Sequence, residues 1–130
     1  MRSIFNGGEW TQARFNSFVK SALRAASRRW PAKYQCLNEA CVGVQTNIKT
    51  GRQAKHYRCN QCLEHLPAKD VQVDHIDAII DPSEGFTTWD SVINRMFCEK
   101  DNLQVLCIKC HLTKTAVEKQ LAKERKLNAK

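Results

Sequence analysis

Cys59-Asn60-Gln61-Cys62 and Cys107-Ile108-Lys109-Cys110 form two CxxC pairs, and Asp74-His75, Asn102 and His111 lie between and beside them. Zinc prefers four tetrahedral thiolate or imidazole ligands, and one tight CxxC turn supplies two of them. The two pairs therefore predict a structural zinc site made by Cys59, Cys62, Cys107 and Cys110, clamping both ends of the segment they enclose. Cys36 and Cys41 leave an alternative open. Joined with Cys59 and Cys62 they would make a zinc ribbon across the 42–58 stretch and release Cys107 and Cys110. Cys98 has no partner at ligand spacing and is expected to be a core thiol.

The remaining groups suit a different metal. Asp74 and His111 offer a hard oxygen and an imidazole nitrogen to a divalent ion, leaving positions for phosphate and water. His111 follows Cys110 directly, so a zinc knuckle would hold it at the start of the last helix. His75 stands next to Asp74 at a strand end, where successive side chains point to opposite faces. A bend there would let Asp74 face a metal while His75 faces a water. Isolated histidines such as His56 and His65 are expected to be structural.

Several elements must position these residues. Phe15, Phe18, Val19, Ala22, Leu23 and Ala26 recur at helical spacing from Thr11 to Arg29, with Arg14, Lys20, Arg24 and Arg28 on the other side. This basic amphipathic helix ends at Trp30-Pro31, because proline disfavours helix in the residue before it. Val42 to Tyr57 reads as a β-hairpin turning at Gly51 and delivering Cys59 and Cys62 at its far end. Val71 to His75 reads as a short strand, Ile76 to Gly85 as a loop and Trp89 to Phe97 as a short helix. Leu103 to Leu106 reads as a second strand, and a helix begins near Ile108 with Leu112, Ala116, Val117 and Leu121 on one face.

In this order the motifs resemble the HNH nuclease family, over about residues 57–116, in a frame of the form CxxC…DHI…NLxxLCxxCHxxKT. The resemblance implies an α+β protein with a small ββα-metal (His-Me finger) core and a four-cysteine zinc site. The basic helix and hairpin would precede that core. It implies that His75 is the general base, that Asp74 and His111 bind one Mg²⁺-like ion, and that Asn102 holds the His75 loop through backbone hydrogen bonds. Lys109 and Lys114 are then the nearest cations for neighbouring phosphates. Mg²⁺, Mn²⁺ and Ni²⁺ all fit an Asp/His site. The expected activity is hydrolysis of phosphodiester bonds in double-stranded DNA, by nicking or cutting, with low sequence specificity. One site per chain nicks, and a homodimer could cut both strands. The likeness to phage-encoded members points to a viral or mobile-element origin, with phage packaging or replication proteins as partners, for which the sequence itself carries no feature.

One departure from the plainest family pattern is a 26-residue insert between His75 and Asn102 carrying Asp77, Asp81, Glu84, Asp90, Glu99 and Asp101. Asp77, two residues beyond His75, is the best candidate there for an extra metal ligand.

The net charge of +8 is unevenly spread. Residues 1–35 carry seven Lys/Arg against Glu9 alone, and residues 109–130 carry seven against Glu118 and Glu124. Residues 36–108 carry seven basic and ten acidic residues. Basic flanks around an acidic centre suit a polyanion gripped at the ends while carboxylates hold a cation, with Arg14, Arg24 and Arg28 as phosphate contacts. At 130 residues the chain is expected to be a single domain stapled by metal, with 1–56 as helix and hairpin, 57–116 as nuclease core and 117–130 as a basic helix end. No apolar run is long enough to span a membrane or act as a secretory signal, so a cytosolic protein is expected, in host cytoplasm if phage-encoded. Seven cysteines in that compartment read as metal ligands and free thiols. Two other readings compete with a nuclease. One is a non-catalytic zinc-stapled DNA-binding module, which has no need of Asp74, His75, Asn102 and His111 in this order. The other is a protein-interaction zinc domain, which leaves the basic ends unexplained.

Overall fold

Thr11 caps the first helix, its Oγ accepting from the backbone N–H of Arg14 at 3.1 Å, and α1 runs over Gln12–Ser27. A computed structural model describes residues 5–129, which fall into two compact units divided between Trp30 and Pro31. In the first unit Phe5 stacks on Phe15 with centroids 4.0 Å apart, and Trp10 meets Phe18 edge-on at 5.2 Å. Arg14 lies over the Trp10 ring at 4.6 Å. Phe18, placed by its spacing on the apolar arc, is nevertheless 60% exposed. Arg14, Arg24 and Arg28 are all exposed.

The second unit begins with a helix that helical spacing in the sequence did not announce. Pro31 ends the first helical pattern and also opens α2 (Pro31–Ala40), since proline is tolerated at a helix's first position. Its buried residues, Ala32 and Cys36, are four apart and share a face that packs on the last strand. Strands β1 (Cys41–Thr46) and β2 (Gln53–Arg58) form the expected hairpin, and β3 (His65–Pro67) adds a short antiparallel edge to it. Pro67 fits there because an edge strand can leave one donor unpaired.

A second, two-stranded antiparallel sheet joins β4 (Val71–His75) to β5 (Leu103–Cys107), in register from Val71↔Cys107 to His75↔Leu103. Between them lie the insert and α3 (Trp89–Met96), which is capped by Thr88 Oγ on the Ser91 N–H. Helix α4 (Ile108–Asn128) follows β5 without a loop and packs on both strands. Leu103, Val105, Leu106 and Cys107 of β5 are buried, as are Val92 and Met96 of α3. The core therefore sits under the strand pair that carries the candidate site. Positions 56 and 116, expected as segment boundaries, lie inside β2 and α4, whereas the compact units divide at Trp30/Pro31. Among the described residues, no helix is long and apolar enough to cross a membrane.

Candidate functional site

The four cysteines of the CxxC pairs come together from opposite ends of the sequence motif. Cys59 and Cys62 sit on a tight turn after β2, closed by Leu63 N–H to the Cys59 carbonyl and Cys59 N–H to the Glu64 carbonyl. Leu63 adopts φ +68°, the left-handed conformation such a turn requires. Cys107 ends β5 and caps α4, its Sγ accepting from the Cys110 N–H at 3.3 Å. The Asn60 N–H bonds the Val105 carbonyl, locking the first turn onto β5. All four sulfurs lie within 4.8 Å of one another, with Cys62 and Cys107 at 3.9 Å. Sulfurs held by Zn–S bonds of about 2.3 Å in a tetrahedron stand about 3.8 Å apart, so the cluster fits zinc.

Their acidities fit as well. Burial raises the Cys59 thiol, yet backbone groups of Cys107, Cys62 and Gln61 more than offset it and bring it down to about 6. Cys110 is pushed up to about 12, first by its hydrogen bond with Cys107 and then by burial. One thiolate forms readily while another resists charging beside it, a conflict that a divalent cation removes. Cys36 and Cys41 stand outside the group. Burial, then the charges of Glu39 and Cys98, raises the Cys36 thiol.

Asp74 and His75 do not bend apart at a strand end as expected. Both stay in β4, paired with Gln104 and Leu103, and so leave the sheet on opposite faces. Asp74 turns toward α4 and is nearly covered, its side chain 11% exposed. Its Oδ2 accepts from Gln104 Nε2 at 3.2 Å and meets Lys114 Nζ at 3.1 Å. Asn60 Nδ2 in turn donates to Gln104 Oε1 at 2.9 Å, orienting that amide. With Oδ2 engaged, Oδ1 lies 3.6 Å from His111 Nε2, a gap that a cation about 2.1 Å from each atom spans. Asp74, Glu118 and Lys114 together carry one net negative charge, which suits a divalent ion.

His75 faces α3 and is buried, its Nε2 2.9 Å from the Met96 carbonyl. A carbonyl only accepts, so Nε2 carries the proton and Nδ1 of the neutral ring is left as a proton acceptor. Burial, aided by Lys33 and Lys114, lowers the pKa of His75 against the opposing pull of the Met96 carbonyl and Asp74. The neutral ring therefore prevails at pH 7.

Asn102 holds the segment that leaves β4. Its Oδ1 accepts from the Asp77 N–H at 3.1 Å, and its carbonyl accepts from the Ile76 N–H at 2.9 Å. Asp77 is exposed and enters this clamp through its backbone. Asp81 uses Oδ1 to accept from both the backbone and hydroxyl of Ser83, bonds that lower its pKa and tie the carboxylate into a turn. Farther along, Arg125 of α4 donates to the Pro82 carbonyl and covers Gly85, where any Cβ would come within 2.5 Å of its guanidinium. Gly85 has φ +81°, the conformation that favours glycine, whereas the flexible Arg125 side chain could shift to admit a Cβ.

Lys114, expected beside neighbouring phosphates, turns inward. Its ammonium is shared among Asp74 Oδ2, the His75 carbonyl at 2.9 Å and Glu118 at 3.2 Å. A phosphate reaching this ammonium would have to displace one or more of three protein oxygens. Lys109 is exposed and makes no ion pair among the described residues. Gln104, Glu118 and the Met96 carbonyl are the contributors that sequence reasoning missed. Gln104 looks like an ordinary polar strand residue, Glu118 is a plain i, i+4 partner of Lys114, and a backbone carbonyl carries no side-chain signal.

Comparison with protein-family models, with curated proteins and with solved structures finds no match to this chain.

Proposed function

We propose that the protein is a metal-dependent DNA endonuclease of the HNH type, in which the Asp74–His111 pair holds one divalent ion and His75 is the general base. The observation that carries this reading is the division of labour at Asp74. One carboxylate oxygen is tied to Gln104 and Lys114, and the other is left 3.6 Å from His111 Nε2. An ion held there, Mg²⁺, Mn²⁺ or Ni²⁺, supplies positive charge to a phosphate and its leaving oxygen when bound.

The chain's own groups carry the remaining steps. His75 Nδ1 takes a proton from water as the water oxygen forms its bond to phosphorus and the bond to the 3′ oxygen breaks. The Met96 carbonyl holds the ring in the tautomer that can accept that proton. Asn102 fixes the chain leaving His75, and Lys114 ties the His75 carbonyl to Asp74. The four-cysteine cluster fixes where α4 begins and hence where His111 stands. Phosphates are gripped by the exposed cations Lys109, Arg14, Arg24 and Arg28.

A second reading, a non-catalytic zinc-stapled DNA-binding module, draws support from Lys114, whose ammonium already neutralises part of Asp74. Supercoiled plasmid incubated with Mg²⁺, Mn²⁺, Ni²⁺ or EDTA, beside His75→Ala, separates the two. The nuclease reading expects nicking that needs added metal and disappears in the variant. Binding of DNA with every plasmid left intact would transfer the reading to the module, and nicking that survives His75→Ala would remove His75 as base.

A further inference from the structure

Within the acidic middle of the chain, the hairpin stands apart. Residues 41–58 contain Lys49, Arg52, Lys55 and Arg58 and no Asp or Glu. Those four account for most of the seven basic residues in 36–108. All four are exposed, and none makes an ion pair among the described residues. At the tip, Ile48 is 98% exposed.

A single exposed aliphatic residue ordinarily needs no explanation. Here the turn that presents it is closely tied. Asn47 N–H bonds the Arg52 carbonyl and Gly51 N–H the Asn47 carbonyl, each at 2.7 Å, while Asn47 Oδ1 accepts from the Lys49 N–H and Thr50 Oγ1 from the Arg52 N–H. Asn47 is buried, and Gly51 takes φ +73°, a conformation that disfavours side chains there. The fold therefore holds an isoleucine almost fully in water on a turn that also carries the exposed cations Lys49 and Arg52. Val44, 61% exposed and paired with Lys55, continues the combination of apolar and basic groups along one face. Lys49 also lines a cleft of about 330 Å³ together with Lys109 and Thr113 of α4, and the acids Glu64 and Asp70 line it too.

We infer that the β1–β2 hairpin is a DNA-binding arm whose tip inserts Ile48 between base steps in the minor groove, while Lys49 and Arg52 grip the flanking phosphates. Apolar wedges beside cations unstack and kink duplex DNA in this way, and exposed cations that make no ion pair favour a polyanion. Lys109, which lines the same cleft, extends the basic track toward the start of α4, where His111 stands. The arm shares with the nuclease reading only its ligand, duplex DNA.

The test uses the full chain, without added divalent ion, on a short duplex labelled at both ends for energy transfer. Lys49→Ala with Arg52→Ala should weaken binding about tenfold and lower the slope of log affinity against log salt by about 1.8, the loss of two phosphate contacts. Ile48→Ala should keep that slope but abolish the rise in energy transfer that reports bending, and Ile48→Phe should restore it. Wild-type bending in Ile48→Ala, an unchanged salt slope in the double variant, or no duplex binding by wild type would each overturn the arm. So would variants that lose binding to phosphatidylserine vesicles yet keep it for DNA, which would make a membrane surface the occupant. Wild type that binds and bends duplex but never nicks plasmid keeps the arm and removes the nuclease. Undiminished nicking by an arm variant with unaltered bending does the reverse.

Discussion

The cysteine cluster and the Asp74–His111 pair lie at the two ends of the same strand pair, yet they are built on opposite plans. The cluster has four ligands of one kind, two of them on the buried residues Cys59 and Cys107, and its backbone is pinned by turns on both sides. Asp74 and His111 offer two ligands of different kinds, with His111 30% exposed and a lysine ammonium close at hand. A closed set of four thiolates stabilises a fold, whereas an incomplete set leaves room for substrate and water. The comparison teaches that one short segment, Cys107 to His111, serves both ends: its sulfurs anchor the helix start, and the anchored start places the imidazole.

The sharpest way to break the comparison is at the cluster. Cys107→Ser removes one zinc ligand together with the cap of α4, and metal binding energy in such sites is folding energy, on the order of 10 kcal/mol. Loss of zinc with loss of the cooperative thermal transition is expected. A folded, zinc-loaded Cys107→Ser protein would show that another set of cysteines holds the metal.

Next in size is His75→Ala, expected to lower nicking about 10²- to 10⁴-fold, the span of a general base, with zinc content unchanged. Equal zinc loss in this variant would mean that the two regions are not separable. A subtler effect should come from Lys114→Met, which leaves Asp74 and Glu118 facing each other without their shared cation. Stability should fall by about 1–3 kcal/mol, and added Mg²⁺ should restore more of it than it adds to wild type. Equal stabilisation of both proteins by Mg²⁺ would show that no ion approaches Asp74. Gln104→Ala should matter least, since Lys114 still holds Oδ2. A loss of about 1 kcal/mol, or near fivefold in nicking rate, is expected in a plasmid time course.

Much of this arrangement was legible in the sequence because its signals are periodic or paired. Strands β4 and β5, helix α3 and the start of α4 follow from alternation, helical spacing and the CxxC turns, and the hairpin follows from Gly51. Helix α2 escaped because Pro31 reads as the end of one helix and gives no sign of opening another. Strand β3, only three residues long and ending in proline, lacks the length for a periodic signal. At the site, residue types pointed to Asp74, His75, Asn102 and His111, but not to their contacts. The bend imagined after Asp74 is absent because the pairing of β4 with β5 continues through His75↔Leu103. For Lys114 the sequence offered only a helical cation near phosphates, and the packing of α4 on β4 turns it inward to Asp74.

The central claim is that an open metal site at Asp74 and His111 does chemistry while the cysteine cluster does not. The most direct measurement is zinc content by mass spectrometry alongside metal-dependent plasmid nicking, for wild type and His111→Ala. The account predicts one zinc per chain in both proteins, with nicking on addition of Mg²⁺, Mn²⁺ or Ni²⁺ in wild type alone. Unchanged nicking by zinc-loaded His111→Ala, or a wild type that stays inert with every ion, would contradict it.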